Sequence, residues 1–246
     1  MNKYTDIVKK IHESPFKITF VSSGGGTNAI SSLLEVPGAS NTILESYIPY
    51  SKDSMDKFLN RKPDHYCSLD TCLSMGANAY KKSKEIDTKT KSKYLLGLSI
   101  TANLATTYEK KGDHKFFIVI QANDYTKYLE CFLEKGKRSR NEEEELITAC
   151  AISLLAESCG LSYPLPDQKE HINVNRVIAE KSWKKLFNNK VGFISNNKSN
   201  PELIFPGSFN PLHEGHMKMK ELAERKTGMH TTFEICAKNA DKPPLT

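Results

Sequence analysis

The sequence predicts an α/β protein made of a large N-terminal domain and a smaller C-terminal piece, and three features carry that reading. Tyr94–Ile100 (YLLGLSI) and Phe116–Gln121 (FFIVIQ) are near-continuous apolar runs of strand length, the pattern of strands buried on both faces. Phe16–Val21 (FKITFV) runs into Ser22, Ser23 and three glycines and then into a helical stretch, a strand–turn–helix unit. After residue 201 a second such unit appears around the string PGSFNPLHEGH.

Taken in chain order, the first strand covers Phe16–Val21 and the tight turn Gly24–Gly26. A helix is expected over Thr27–Glu35 and is broken by Val36, Pro37 and Gly38, since proline cannot continue a helix and glycine favours its end. Thr42–Tyr50 reads as extended and Lys52–Leu59 as a short amphipathic helix. The two apolar runs follow as neighbouring core strands. Asn141 can cap the next helix, Glu142–Glu145 fill its first turn where carboxylates complement the macrodipole, and Gly160 stands at its end. Residues 161–200, with Pro164, Pro166 and the NNKSN cluster at 196–200, predict a linker carrying one short helix around Val174–Phe187. Beyond it come a strand at Glu202–Phe205, a loop, a helix over Met217–Lys226 ended by Gly228, and a strand near Thr231–Cys236. The expected domains are therefore 1–160, a linker 161–200, and 201–246.

Composition narrows the function classes. The chain has 246 residues, a formal net charge of +6 and six cysteines. No apolar run approaches the ~20 residues of a membrane span, and the N-terminus lacks the apolar core of a signal peptide, so a cytoplasmic protein without membrane partners is expected. The cysteines lack paired metal-ligand spacing and read as reduced thiols, with no metal site of the protein's own. The lysine runs (Lys81, Lys82 and Lys84; Lys89, Lys91 and Lys93) have no interleaved aromatic residues and read as solvated faces, not a nucleic-acid surface. His65, His114 and His171 have no partners at recognisable spacing and read as surface or core histidines. Arg138 and Arg140 are expected to form surface pairs with Glu142–Glu145.

The chemistry concentrates in Pro206–His216. A strand entering a glycine-containing loop and then a helix makes a phosphate cradle, because backbone amides of the turn and of the helix N-terminus point at a bound anion. His213 and His216 flank Gly215 at the helix start, where an imidazole edge can donate to a phosphate oxygen. The string GSFNPLHEGH resembles the GxFxPxHxGH signature of the cytidylyltransferase and nicotinamide mononucleotide adenylyltransferase superfamily. That resemblance implies that His213 and His216 are catalytic contacts to a nucleoside triphosphate. It further implies that Gly207, Ser208, Phe209, Asn210 and Gly215 form the nucleotide cradle, and that Mg2+ accompanies ATP or CTP. The family's second motif, roughly ISSTxxR, is not found in the 45 or so residues after the linker. The expectation is therefore the first strand–loop–helix part of a Rossmann-like nucleotidyltransferase fold, interrupted at NADKPPLT.

The N-terminal region also resembles a known domain. SSGGGTNAISSLLEVPGASNTILESYIPYS, with LGLSIT and the helix after RSRNEEEE, resembles the CinA-type C-terminal domain, whose bacterial members include nicotinamide mononucleotide deamidases; the likeness covers about residues 5–160. It implies a three-layer α/β domain, with the family's ESCTGG falling on Ser22–Thr27 and its YSNxxK on Tyr50–Met55. A degenerate deamidase site would comprise Ser23, Gly24, Gly25, Gly26 and Tyr50. The family's lysine is Met55 here, and its glycine-rich loop has become Thr101–Ala105; both departures predict loss of hydrolysis, since a serine nucleophile needs a base. The Gly24–Gly26 turn reads equally as a phosphate or ribose contact and as a plain tight turn. A CinA-like domain followed by an HxGH domain also resembles a eukaryotic two-domain family carrying GGG, VPGASNT, RSREEE and NADKPP patterns, and implies a pyridine-nucleotide theme. Three readings follow. The first is a nucleotidyltransferase acting on a phosphorylated, pyridine-nucleotide-like acceptor, with transfer expected to be impaired in this short form and the CinA-like domain as a binding or homo-oligomerising platform. The others are a deamidase acting through Ser23 with Tyr50 assisting, and a non-catalytic nucleotide-binding scaffold.

Overall fold

Five consecutive buried residues in β1 (Lys17–Ser23) mark it as the central strand of the N-terminal unit, with a neighbour on each edge and helices on each face. The computed structural model describes residues 2–108, 111–167, 170–187, 189–196, 200–209 and 212–236. It divides into two units, Met1–Glu180 and Lys181–Thr246. Asn210 and the NADKPPLT segment lie outside the described residues.

In the first unit, α1 (Thr5–Glu13) precedes β1, and α2 (Thr27–Leu34) connects β1 to β2 (Ile43–Tyr47). Two helices, α3 (Lys52–Leu59) and α4 (Leu69–Ile86), lead to β3 (Leu95–Asn103); β4 (His114–Gln121), β5 (Tyr125–Leu133), α5 (Arg140–Ser158) and β6 (Ile172–Ile178) complete the unit. The six strands form one mixed sheet in the order β2-β1-β3-β4-β5-β6. β1 pairs in parallel with β2 and β3, and the remaining pairs are antiparallel.

Alternation along the strands divides the core into two layers. Ile18 and Phe20 of β1 and Leu96, Leu98 and Ile100 of β3 pack with α1, α2 and α5. Val21 packs on the opposite face with Met55 and Leu59 of α3 and Met75 and Ala79 of α4. The result is a three-layer α/β domain, as the sequence predicts. α4 lies so close on β3 that a Cβ on Gly97 would come 2.3 Å from the Gly76 carbonyl oxygen. Its buried polar groups are used against the sheet: Ser83 Oγ donates to the Leu96 carbonyl at 2.8 Å and accepts from the Thr19 amide at 3.0 Å. Cys72 is sealed in the same seam, where burial pushes its thiol up to about 12; all six cysteines are free thiols.

Several element boundaries differ from the sequence reading. The cap of α5 is Ser139, not Asn141: Ser139 Oγ accepts from the Glu142 amide, and the Glu142 carboxylate returns to the Ser139 amide at 2.7 Å. This reciprocal box satisfies two orphan amides at once. The expected linker 161–200 contains β6, because the β-branched run INVNRVI turns Ile172 and Val174 toward the core and favours a strand. The short helix, α6, begins only at Lys181 and ends at Phe187. Arg138 pairs with Glu170, ahead of β6, and not with the acidic run of α5. The lysine runs do meet aromatic rings: Lys82 lies 4.8 Å from the Tyr47 centroid and Lys93 4.6 Å from that of Tyr94. No helix among the described residues is long and apolar enough to cross a membrane.

The second unit contains α6 and a parallel pair of strands, β7 (Leu203–Gly207) and β8 (Thr231–Ile235), joined by α7 (Glu214–Thr227). Gly228 ends α7 in the left-handed conformation with its amide on the Glu224 carbonyl. The Glu224 carboxylate then accepts from the Thr231 amide at 2.8 Å, fixing the start of β8.

Candidate functional sites

The first candidate site lies where the sheet topology opens a crevice. The chain leaves β1 through α2 on one face of the sheet and leaves β2 through α3 and α4 on the other, so the carboxyl ends of these two neighbouring strands lead to opposite faces, while β1 stays paired with β3 up to Ser23 and Thr101. In open α/β sheets that switch point is where ligands enter. Ser23 is the last residue of β1, opposite Thr101 of β3, and Gly24–Gly26 form the turn above it.

Here the crevice is filled by the chain itself. Gly24 and Gly26 have φ of 80° and 88°, and the turn rests directly on the end of β3 and the residue that follows it. A Cβ on Gly24 would lie 2.0 Å from the Ala102 carbonyl oxygen, and one on Gly25 2.7 Å from Leu104 Cδ1. The amides at the start of α2 are occupied: the Glu144 carboxylate accepts from the Gly26 amide at 2.8 Å and from the Asn28 amide at 3.1 Å. Glu143, fully buried, accepts from the Ala105 amide at 2.6 Å and meets His114 Nδ1 at 2.8 Å. Arg140 donates to the carbonyls of Ala105 and Gly24 at 3.1 and 3.2 Å.

The deamidase residues come only partly together. Ser23 Oγ donates to the Pro49 carbonyl at 3.0 Å, which puts its hydroxyl beside the chain leading into Tyr50. Tyr50 is 69% exposed. Met55 is buried in the α3–α4 core, and the Lys52 ammonium sits 5.7 Å from the Tyr66 ring centroid. Among the described contacts no base accepts the Ser23 proton.

The second candidate site is the loop between β7 and α7. His213 is the N-cap of α7. Its backbone amide donates to His216 Nδ1 at 3.3 Å, and the two imidazoles stack with centroids 3.7 Å apart. Because that Nδ1 accepts a hydrogen bond, the proton of a neutral His216 sits on Nε2, which is left as a donor. Phe209, with φ of 45°, turns its ring against His216 at 5.1 Å and Phe233 at 4.7 Å. A Cβ on Gly207 would strike that ring at 2.7 Å, and one on Gly215 would come 3.1 Å from the His213 ring. Ser208 is half-buried between Gly207 and Phe209. Among the described residues no group of three or more His, Cys, Asp or Glu side chains could hold a metal ion.

Sequence reasoning missed Arg140, Glu143, Glu144 and His114 as partners at the crevice. The available signal was spacing: Glu143 and Glu144 stand one turn before Ile147 and Thr148, on the stripe that faces inward.

Comparison with solved structures identifies the fold of the larger unit. The competence/damage-inducible protein CihA of Agrobacterium tumefaciens is similar at 15% identity and a TM-score of 0.51, over 63% of this chain and 94% of that one. A CinA-superfamily protein of Enterobacter cloacae is similar at 11% identity and a TM-score of 0.53, over 65% of this chain and 94% of that one. A competence or damage-inducible protein of Enterobacter asburiae reaches 13% identity and a TM-score of 0.51, over 64% and 99%. At these identities the likeness shows the fold alone: the larger unit is an α/β domain with the fold of these CinA-type structures. No protein-family model and no curated protein matches the chain.

Proposed function

We propose that this chain is a nucleotide-binding protein of the nucleotidyltransferase type, with its triphosphate site at the start of α7. The observation that carries the reading is the paired arrangement of His213 and His216, stacked at 3.7 Å on the first turn of a helix that connects two parallel strands. The first two amides of α7, on Glu214 and Gly215, have no intrahelical acceptors, whereas that of His216 reaches the His213 carbonyl, and the helix dipole favours an anion beside them. His216 adds a donor through Nε2, since its Nδ1 accepts from the His213 amide, and His213 adds a second imidazole edge at the same helix end. Such donors stabilise charge that grows on the phosphate oxygens when an acceptor's phosphate oxygen attacks the α-phosphorus and pyrophosphate leaves. Among the described residues no side chains build a metal cage of their own; Mg2+ fits here as an ion carried in by the ATP or CTP oxygens and water.

On this reading the CinA-type domain is a platform that binds a pyridine-nucleotide-like acceptor or assembles copies of the chain. The deamidase alternative lacks a comparable observation, because the Ser23 hydroxyl donates its hydrogen bond to a carbonyl and position 55 is a core methionine. The test is a thermal-shift series with Mg2+ and ATP or CTP on the wild type and on His216→Ala. Triphosphate at about 100 times its Kd should add roughly 2.7 kcal/mol of stability, and His216→Ala should abolish the shift. An equal shift in both proteins, or none in the wild type, overturns the proposal.

A further inference from the structure

The turn Gly24–Gly26 and the segment Ala102–Ala105 are far apart in sequence, and both are tied to the first turns of α5. Glu144 holds the amides of Gly26 and Asn28, Glu143 holds the amide of Ala105, and Arg140 reaches a carbonyl on each side. The two loops also touch directly, through Gly24 against Ala102 and Gly25 against Leu104. The N-cap of α2 is Gly26, which has no side chain to satisfy the helix's first amides; Glu144 supplies from another element what a capping side chain would.

We propose that the start of α5 is an autoinhibitory latch on the CinA-type domain, with Glu144 and Arg140 holding the loops at the carboxyl ends of β1 and β3 shut as one unit. His114 braces the latch from β4 by meeting the buried Glu143 carboxylate. In the latched state an anion at the head of α2 has to displace Glu144. Opening therefore requires release of α5's first turns, and loosening one loop loosens the other.

Residue-resolved amide exchange on the full chain tests this coupling. A hydrogen bond to a charged group is worth about 1.5–3 kcal/mol, so removing the Glu144 carboxylate should speed exchange by about tenfold or more. Glu144→Ala should speed Gly26 and Asn28, which it touches, and also Ala105, which it does not. Arg140→Ala, an exposed side chain whose loss leaves the core intact, should speed both loops together and carries the test if Glu144→Ala unfolds. Lys3→Ala, which removes an exposed pair with Glu145 on the same helix and touches neither loop, should leave both loops at wild-type rates. The proposal is overturned if Arg140→Ala or a folded Glu144→Ala loosens only one loop, or if those amides already exchange freely in the wild type.

Discussion

Gly24 sits directly beneath the backbone of Ala102: a Cβ on Gly24 would lie 2.0 Å from the Ala102 carbonyl oxygen and 3.0 Å from its carbonyl carbon. No rotamer change relieves a collision between two main chains, and the φ of 80° adds the strain of a left-handed residue. Gly24→Ala should therefore cost about 3 kcal/mol or more, a loss of roughly 6–12 °C for a domain of this size. Gly160 has nearly the same φ, 79°, with nothing within 4 Å, so Gly160→Ala should cost only about 1–2 kcal/mol. Denaturant melts of the two variants separate packing from backbone strain; equal losses would mean that the contact with Ala102 contributes nothing.

The layered core was legible in the sequence because its signals are local. The runs at 94–100 and 116–121 are buried strands whatever their partners, and Gly228 ends α7 as its spacing demands. The glycine turn at 24–26 was legible as a turn, but its purpose was not. What fills the space beneath it comes from residues 102–105 and 140–144, and no local pattern brings those segments together. A run of four glutamates looks like a solvated helix start, and only the packing of α5 on the sheet beside α1 and α2 turns two of them inward. β6 was hidden for a related reason: an edge strand with asparagine and arginine between its apolar residues carries a weak period.

The two nitrogens of His216 do different work, and isosteric substitutions should separate them. Asparagine puts its amide oxygen where Nδ1 accepts from the His213 amide but has nothing at the Nε2 position. His216→Asn should therefore keep the start of α7 while losing about 1.5–3 kcal/mol of triphosphate binding, a roughly 10- to 100-fold weaker Kd. Glutamine reaches the Nε2 position with a donor and gives up the cap. His216→Gln should fray α7 yet bind more tightly than His216→Asn. Calorimetric titration with MgATP, together with amide protection at the helix start, reads both effects, and the opposite ranking would assign the phosphate contact elsewhere.

Acid should unfasten two ion pairs in the N-terminal unit. The Arg138 guanidinium holds the Glu170 carboxyl down to about 2, from an ordinary 4.5. Lys17, with help from Thr90, lowers Asp87 as well. A carboxylate with a depressed folded value stabilises above its unfolded value and loses that contribution as pH falls through the folded one. Stability should therefore decline from about pH 4.5 toward pH 2 on account of Glu170, with Asp87 contributing over the same acid range. Glu170→Gln should be less stable than wild type at neutral pH and show a shallower acid decline, measured by urea melts across that range. Parallel pH profiles in the two proteins would rule out a role for the pair.

Position 55 offers a direct trial of the hydrolase alternative. In the CinA-type pattern a lysine stands there, and in this chain Met55 is 1% exposed, in contact with the core of Val21, Leu59, Met75 and Ala79. An ammonium in that position loses its water without a carboxylate among those neighbours, so Met55→Lys should cost about 3 kcal/mol or more and hold its lysine partly neutral. Met55→Leu, which keeps the volume, should cost under about 1.5 kcal/mol. A neutral lysine is the species that could take a proton from Ser23, yet the Ser23 hydroxyl is engaged with the Pro49 carbonyl, and the crevice above is filled by the glycine turn, Ala102 and Glu144. Met55→Lys should accordingly release no ammonia from nicotinamide mononucleotide. Only in combination with Glu144→Ala, which empties the head of α2, does the geometry leave room for a phosphate-bearing substrate. Ammonia release by the single variant would mean that the latch does not close the crevice, and release by the double variant alone would mean that it does.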